Sequence, residues 1–438
     1  MSASGLMIAA PRSSSGKTTI TIALLAALKA RGLRMKSAKT GPDYIDPAFH
    51  TAATGQTTFN LDSWAMPPPL LDNLMCETAE NADLFLVEAA MGLFDRIEAP
   101  PGRSGAPADV AARFGLPVIL VLDVSGQAQS AAAVAKGFSL YNPSVTICGV
   151  IANRVGSERH LRMVRNSIEA IGIPFLGAIP RMADIAIPER HLGLVQIFEH
   201  PSAAAFLERL RELAEQHLDL EKIVSSATLP QQHSKAEGIA MSPPGQRIAL
   251  ARDAAFSFTY AHLLEGWRSA GAEIVFFSPL ADEPPPNQCD ACWLPGGYPE
   301  LHAQAIAGAE TFKSGLREFA ETRPVHGECG GYMVLGQVLI NSDNNSYEMA
   351  GLLSHETTFA KKKLHLGYRR AKLIDQSWMG GKTSVIRGHE FHYASILSEG
   401  CDAPLVEVVD GEGRPLGKAG HMRGHVSGTF FHAIAVDN

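Results

Sequence analysis

The stretch Gly5–Lys29, GLMIAAPRSSSGKTTITIALLAALK, decides how the first half of the chain folds. Gly5–Ala10 is an apolar run that predicts a buried strand, and Thr18–Lys29 carries apolar residues at helical spacing with Gly32 just past its end. Between them, Ala10–Thr19 meets the G-x-x-x-x-G-K-[ST] pattern except at its first glycine, where Pro11 stands. Backbone N–H groups of such a loop, backed by a helix N-terminus, cradle phosphate oxygens. Ser15, Gly16, Lys17, Thr18 and Thr19 are therefore the expected phosphate-binding residues, with Lys17 on the β- and γ-phosphates and the Thr18 hydroxyl on Mg²⁺. The plain alternative is a strand–turn–helix corner with a chance lysine. A strand before the loop and a helix after it favour phosphate binding.

Outward from this loop, Leu84–Glu88, Pro117–Asp123 and Thr146–Asn153 predict further buried strands alternating with helical segments, the pattern of a parallel α/β sheet. Leu84–Glu88 ends in a carboxylate, as a strand that serves nucleotide-bound metal does, so Glu88 is expected at the carboxyl edge of the sheet as a metal ligand. Two more acidic patches are Asp43 with Asp46, in KTGPDYIDP, and Asp95, in EAAMGLFD. Beside a phosphate loop they suggest substrate activation, although Asp43 and Asp46 flank a Gly-Pro turn and could serve only that turn. Ala203–Leu220 predicts an amphipathic helix that closes this domain.

From Ser225 to Gly245 the chain is polar, bears Pro and Gly and lacks a period, which reads as a linker between a domain at 1–224 and another at 246–438. A second α/β pattern follows: strands at Arg247–Arg252, Ala272–Ser278, Ala291–Leu294, Leu405–Val409 and Thr429–Val436, and a helix at Tyr260–Ala270. The 438 residues suffice for two or three cores. With 38 Lys+Arg against 45 Asp+Glu, the net charge of −7 gives no support for non-specific nucleic-acid binding. No apolar run is long enough to cross a membrane, the N-terminus does not read as a signal peptide, and six cysteines are too few for a disulfide framework. These features predict a soluble cytoplasmic protein, with a homodimer left open. Cys289 and Cys292 form a C-x-x-C without further ligands nearby, and are expected to be core residues.

In the second half, Gly327-Glu328-Cys329-Gly330-Gly331 has the G-x-nucleophile-x-G form of a strand-to-helix elbow, with cysteine as nucleophile. A helix N-terminus there is expected to lower the thiol pKa. Sixteen histidines compete as base; His432, expected at the end of a late apolar strand, and its rivals His389 and His392 all stay open at this point. The H-E-F-H run that holds these rivals is one residue short of the zinc motif. The paired glycines of Leu294–Glu300 offer N–H groups for an oxyanion hole, Gly297 with Gly330. Lys361–Lys363 reads as a solvated face, and Arg369 and Arg370 as minor candidates for substrate carboxylates.

Taken in order, APRSSSGKTT, GPDYIDPAFH, VEAAMGLFD, GVIANR, LPGGYPEL, HGECGGYM, RGHEFHY and GTFFH resemble the cobyrinate/hydrogenobyrinate a,c-diamide synthases of corrinoid biosynthesis across almost the whole chain. The resemblance implies an N-terminal P-loop amidoligase domain similar to dethiobiotin synthetase and a C-terminal class I glutamine amidotransferase domain. It further implies glutamine hydrolysis at Cys329 with His432 as base, and ATP·Mg²⁺-dependent activation of the a and c acetates of a tetrapyrrole polycarboxylate before amidation. Asn153 is carried over as an ATP contact. One departure stands out: the amidotransferase carboxylate two residues after the histidine is here Ile434. What orients His432 is open, and Glu328 is too near Cys329 in sequence to be assumed for the role. Rival readings are a cobyric-acid-type amidase acting on other side chains of the macrocycle and a regulatory or partitioning P-loop ATPase.

Overall fold

A computed structural model of the chain describes residues 3–182, 189–190, 193–194, 203–231 and 241–437. The chain divides into two compact units, one of Met1–Trp64 with Pro68–Glu237 and one of Ala65–Pro67 with Gly238–Asn438.

The first unit is built on a seven-stranded sheet: β1 (Ser4–Ala9), β2 (Met35–Thr40), β3 (Phe59–Leu61), β4 (Leu84–Glu88), β5 (Val118–Asp123), β6 (Ile147–Val155) and β7 (Phe175–Pro180), in the order β3-β2-β4-β1-β5-β6-β7. Every pairing is parallel. A sheet covered on both faces needs strands apolar on both sides, and Leu6–Ala9 and Phe85–Val87 are buried without alternation. The order reverses beside β1, so the carboxyl ends of β1, β4 and β2 open onto the crevice where such sheets bind ligands. The helix after β1, α1 (Lys17–Ala30), begins on the phosphate-loop candidate. Expected strands and this helix lie within one or two residues of the observed ones. The expected helix Ala203–Leu220 ends instead at His217, and a second helix spans Leu220–Ser225, capped by Asp219, whose carboxylate accepts from Lys222 N–H. The start of the expected linker is attached to this unit: Gly5 N–H donates to Thr228 O at 2.8 Å, and Gln231 N–H donates to Phe114 O at 2.8 Å. Residues 232–240 of that segment lie outside the described residues.

The second unit carries a ten-stranded mixed sheet. Its first five strands, Glu273–Phe277, Arg247–Ala251, Ala291–Leu294, Val325–Glu328 and Val426–Thr429, are mutually parallel. Pro415–Arg423, Ala403–Asp410, His365–Leu373, Val385–His392 and His432–Val436 continue it in antiparallel register. The expected strand Thr429–Val436 is in fact two, broken at Phe430-Phe431, so His432 begins the last strand instead of ending one. Cys289 and Cys292 are buried free thiols in the apolar core. Among the described residues no helix is long and apolar enough to cross a membrane.

Close approach at the turn after Val325–Glu328 admits no side chain. A Cβ on Gly331 would lie 1.9 Å from the Leu294 carbonyl oxygen. Gly331→Ala is therefore expected to destabilise the second unit by about 2–3 kcal/mol, the upper range for overpacking. Urea unfolding followed by tryptophan fluorescence checks this, because Trp267, Trp293 and Trp378 lie in that unit. An unchanged midpoint would mean that the turn relaxes freely.

Candidate functional site

Two clusters stand out, one in each unit. In the first, Ser14 and Gly16 take left-handed φ values of 59° and 92°, which bend the loop onto the N-terminus of α1. Glycine is required at 16 twice over, because a Cβ there would meet Asn153 Nδ2 at 2.1 Å. Asn153, at the end of β6, donates from that nitrogen to Ser15 O at 2.8 Å and so fixes the loop. Lys17 is buried and donates to Arg12 O at 3.3 Å. Burial, then the neighbouring Lys39, lowers its pKa to about 8. Thr19 is half-buried on the first turn.

Below the loop lies a buried polar knot. Thr18 Oγ1 donates to Glu88 Oε1 at 2.6 Å and stands 3.1 Å from Asp46 Oδ2. Lys39 Nζ reaches the same two oxygens, at 2.7 Å and 2.5 Å, and lies 3.9 Å from Asp43. His50 Nε2 meets the other Glu88 oxygen at 2.7 Å. Burial alone would raise Glu88, but Lys39 and His50 hold it well below the usual carboxylate range. Burial would likewise lower Lys39, which Asp46 and then Glu88 keep protonated. Burial and Asp43 push Asp46 upward against the pull of Lys39. Three carboxylates thus surround one ammonium, and Glu88 keeps its charge more firmly than Asp46.

The residues read from sequence divide here by environment. Asp46 and Glu88 converge on Thr18, whereas Asp43 accepts N–H groups of Ile45 and Asp46 at 2.8 Å and 3.1 Å and thereby shapes its own turn. Asp95 is exposed and accepts from Gly92 N–H at 2.8 Å, in a loop held so close to the phosphate loop that a Gly92 Cβ would meet Pro11 O at 2.6 Å. Its charge is felt at Lys17. Lys39 and His50 were not singled out from sequence. His50 stands four residues after Asp46 on one helix face, a legible spacing.

Mg²⁺ takes one or two carboxylates together with phosphate oxygens and water. The hard oxygens of Thr18, Asp46 and Glu88 around a buried positive group match that donor chemistry. Among the described residues, no group of three or more His, Cys, Asp or Glu side chains forms a metal site without such help.

In the second unit, Cys329 follows the strand Val325–Glu328 and precedes the helix Gly330–Leu335. Its φ of 48° and ψ of −102° are those of a strained elbow, held by the Cys329 N–H bond to Thr429 O at 2.8 Å. A Cβ on Gly296 would lie 2.3 Å from His432 Cε1, 3.0 Å from its Nε2 and 3.3 Å from Cys329 Cβ, so the nucleophile candidate and the imidazole come together beside that glycine. Likewise a Gly330 Cβ would meet the Gly297 nitrogen at 3.0 Å, which brings the two expected oxyanion donors together.

Electrostatics here correct one expectation. The thiol pKa is raised, chiefly by burial and next by Glu300; the Gly330 N–H opposes this, but the helix behind it has only six residues. Burial also lowers His432 to about 3, with His389 and His392 acting in the same sense, and raises Glu300 to about 7. The resting pair is a neutral thiol beside a neutral imidazole.

His389 pairs with His432 across adjacent strands, and His392 Nδ1–H donates to Ala394 O at 3.0 Å while its Nε2 approaches Glu390 at 3.3 Å. Arg369 is engaged by Glu390 at 2.6 Å, and Lys361–Lys363 are exposed. Glu328, set aside from sequence, points at His432: its Oε2 lies 3.7 Å from Nδ1, while Oε1 accepts from Ala433 N–H at 2.9 Å.

Comparison with known proteins matches residues 6–195 to the CobQ/CobB/MinD/ParA nucleotide binding domain and residues 247–438 to the CobB/CobQ-like glutamine amidotransferase domain. Hydrogenobyrinate a,c-diamide synthase of Mesorhizobium japonicum is 56% identical over 435 residues, 99% of either chain. The Agrobacterium fabrum protein of that name is 54% identical over 435 residues, again 99% of either chain. That of Rhodobacter capsulatus is 53% identical over 433 residues, 98% of either chain.

Proposed function

Since the chain belongs to the hydrogenobyrinate a,c-diamide synthase family, we propose that it amidates the a and c acetates of hydrogenobyrinate or cobyrinate, using ATP and glutamine-derived ammonia. The observation that carries this reading is Cys329 and His432 meeting beside Gly296 in a chain that also holds a phosphate loop. One half releases ammonia from an amide; the other activates a carboxylate to receive it.

In the glutaminase half, the Cys329 proton passes to His432 Nε2 as the sulfur attacks the glutamine side-chain carbonyl. Gly297 and Gly330 N–H groups receive the developing oxyanion. Collapse of the tetrahedral species breaks the C–N bond, ammonia leaves with the proton from Nε2, and water then hydrolyses the thioester. His432 rests neutral, so its Nε2 lone pair is available to accept that proton.

In the synthetase half, loop amides of Ser15–Thr19 and the Lys17 ammonium hold the ATP phosphates, and Asn153 both braces the loop and borders the nucleotide. Thr18 and Glu88 would hold Mg²⁺, with Asp46 alongside; the ion would supply charge neutralisation at the phosphates. A macrocycle carboxylate oxygen attacks the γ-phosphorus to give an acyl phosphate and ADP, and ammonia displaces phosphate to give the amide. Asp43, Asp46 and Asp95 are placed in this reading around the transferred group, and Asp43 acts through the turn that it shapes. Cytoplasmic location and a homodimer fit a biosynthetic enzyme of this kind.

Mass spectrometry of the product tests the reading. Given ATP, Mg²⁺, glutamine and either the metal-free or the cobalt macrocycle, the protein is expected to stop at two new amides. Four would assign it to the cobyric-acid type, and none with either macrocycle would remove the substrate assignment.

A further inference from the structure

We infer that Glu328 is the positioning residue for His432, doing from the position before the nucleophile what a carboxylate two residues after the histidine would otherwise do. The inference rests on the reading of Cys329 as the glutaminase nucleophile. Ile434, which occupies that later position, is fully buried and apolar, and its carbonyl is engaged with His262 Nε2 at 2.9 Å. It offers the imidazole nothing.

Glu328 is itself buried, at 3% exposure, and reaches the last strand from the side. Its Oε1 accepts from Ala433 N–H at 2.9 Å, which fixes the carboxyl group against the residue next to His432. That anchor leaves Oε2 facing His432 Nδ1 at 3.7 Å. The gap is longer than a hydrogen bond, as catalytic contacts often are before substrate closes the site. The carboxylate whose charge is felt at His432 is otherwise engaged. Glu390, on the strand Val385–His392, is bound by Arg369 at 2.6 Å and by His392 at 3.3 Å.

A carboxyl oxygen at Nδ1 selects one of the two imidazole tautomers. Burial pushes the Glu328 carboxyl up to about 8, so the base-competent state is the one in which Glu328 has lost its proton: the ring proton then sits on Nδ1, directed at Glu328, and Nε2 presents its lone pair to the thiol. When the thiol proton moves to Nε2, the ring becomes a cation next to a group that can balance it; when ammonia leaves, the same proton departs and the tautomer is restored.

Glu328→Gln tests this with little change of shape. Its side-chain oxygen still accepts from Ala433, so a role limited to tying the strand would survive. Its amide, however, would donate to Nδ1 and place the ring proton on Nε2, the wrong nitrogen for a base. Glutamine-dependent kcat is expected to fall by about 10²- to 10⁴-fold, by analogy with the orienting aspartate of serine proteases. The KM for glutamine and the ammonia-dependent rate should stay near wild type, and Glu328→Asp should recover part of the lost kcat. A Gln variant within about threefold of wild type, small against the loss expected for a mis-set tautomer, would overturn the inference. So would loss of both rates with a lowered melting temperature and no recovery in the Asp variant, which would give Glu328 a structural role. Cys329→Ala run alongside separates the two levels. If it keeps glutamine-dependent turnover, the glutaminase reading itself fails; if it loses it while the Gln variant does not, only the role of Glu328 falls.

Discussion

Lys17→Ala is expected to abolish amide formation from glutamine and from ammonium salt alike. The charge at the transferred phosphate is needed whatever the source of nitrogen. Losing one such contact costs about 3–4 kcal/mol of transition-state stabilisation, or roughly 10²- to 10³-fold in rate. The buried position of Lys17 leaves no room for another residue to replace it, since Lys39 is already committed to Asp46 and Glu88. Alanine removes the Lys17 bond to Arg12 O, but Ser15 Oγ still donates to that carbonyl at 2.9 Å and Asn153 still braces the loop. Steady-state rates with each nitrogen source decide the matter. A variant with near-normal ammonia-dependent turnover would show that the loop does not hold the reacting phosphates.

Cys329→Ala separates the two halves. Glutamine-dependent synthesis should fall to background, a loss on the order of 10⁶-fold if the cysteine behaves as other catalytic nucleophiles do. Synthesis from concentrated ammonium salt should persist, because only the ammonia supply is removed. His432→Ala should behave likewise, since a thiol that burial keeps protonated is a poor nucleophile without its base. Loss of ammonia-dependent synthesis in the Cys329 variant would sink the two-site reading. A phenotype seen for His389→Ala and not for His432→Ala would move the base to the neighbouring strand.

Local patterns made much of this architecture legible. The buried strands of the first unit announce themselves as unbroken aliphatic runs, and the elbow at Cys329 as glycines in order around a cysteine. What stayed hidden depends on residues far apart in the chain. Lys39 looks like an ordinary solvated lysine until β2 pairs with β4 and sets it opposite Glu88. Glu328 is too near Cys329 in sequence to be assumed for the role of orienting His432, and on a regular strand the two would also face opposite ways. The φ of 48° at Cys329 ends the strand pattern there, so Glu328 and Cys329 both reach the His432 side. The break at Phe430-Phe431 was missed for another reason: an apolar run carries no mark of where one strand stops and the next begins. The thiol was expected to be acidic because a helix start favours anions, but a six-residue helix counts for less than complete removal from water.

The sealed elbow bears on how long the protein lasts when idle. Oxidants and adventitious electrophiles attack the thiolate, and they do so where it is exposed. Cys329 is 2% exposed, and burial holds its sulfur in the protonated form, so the resting side chain lacks both requirements for conversion to sulfenic acid. Cys76 and Cys401 lie exposed at the surface and meet peroxide first. Thiol oxidation therefore begins at positions outside both reactive clusters, and the nucleophile is among the last thiols to be lost.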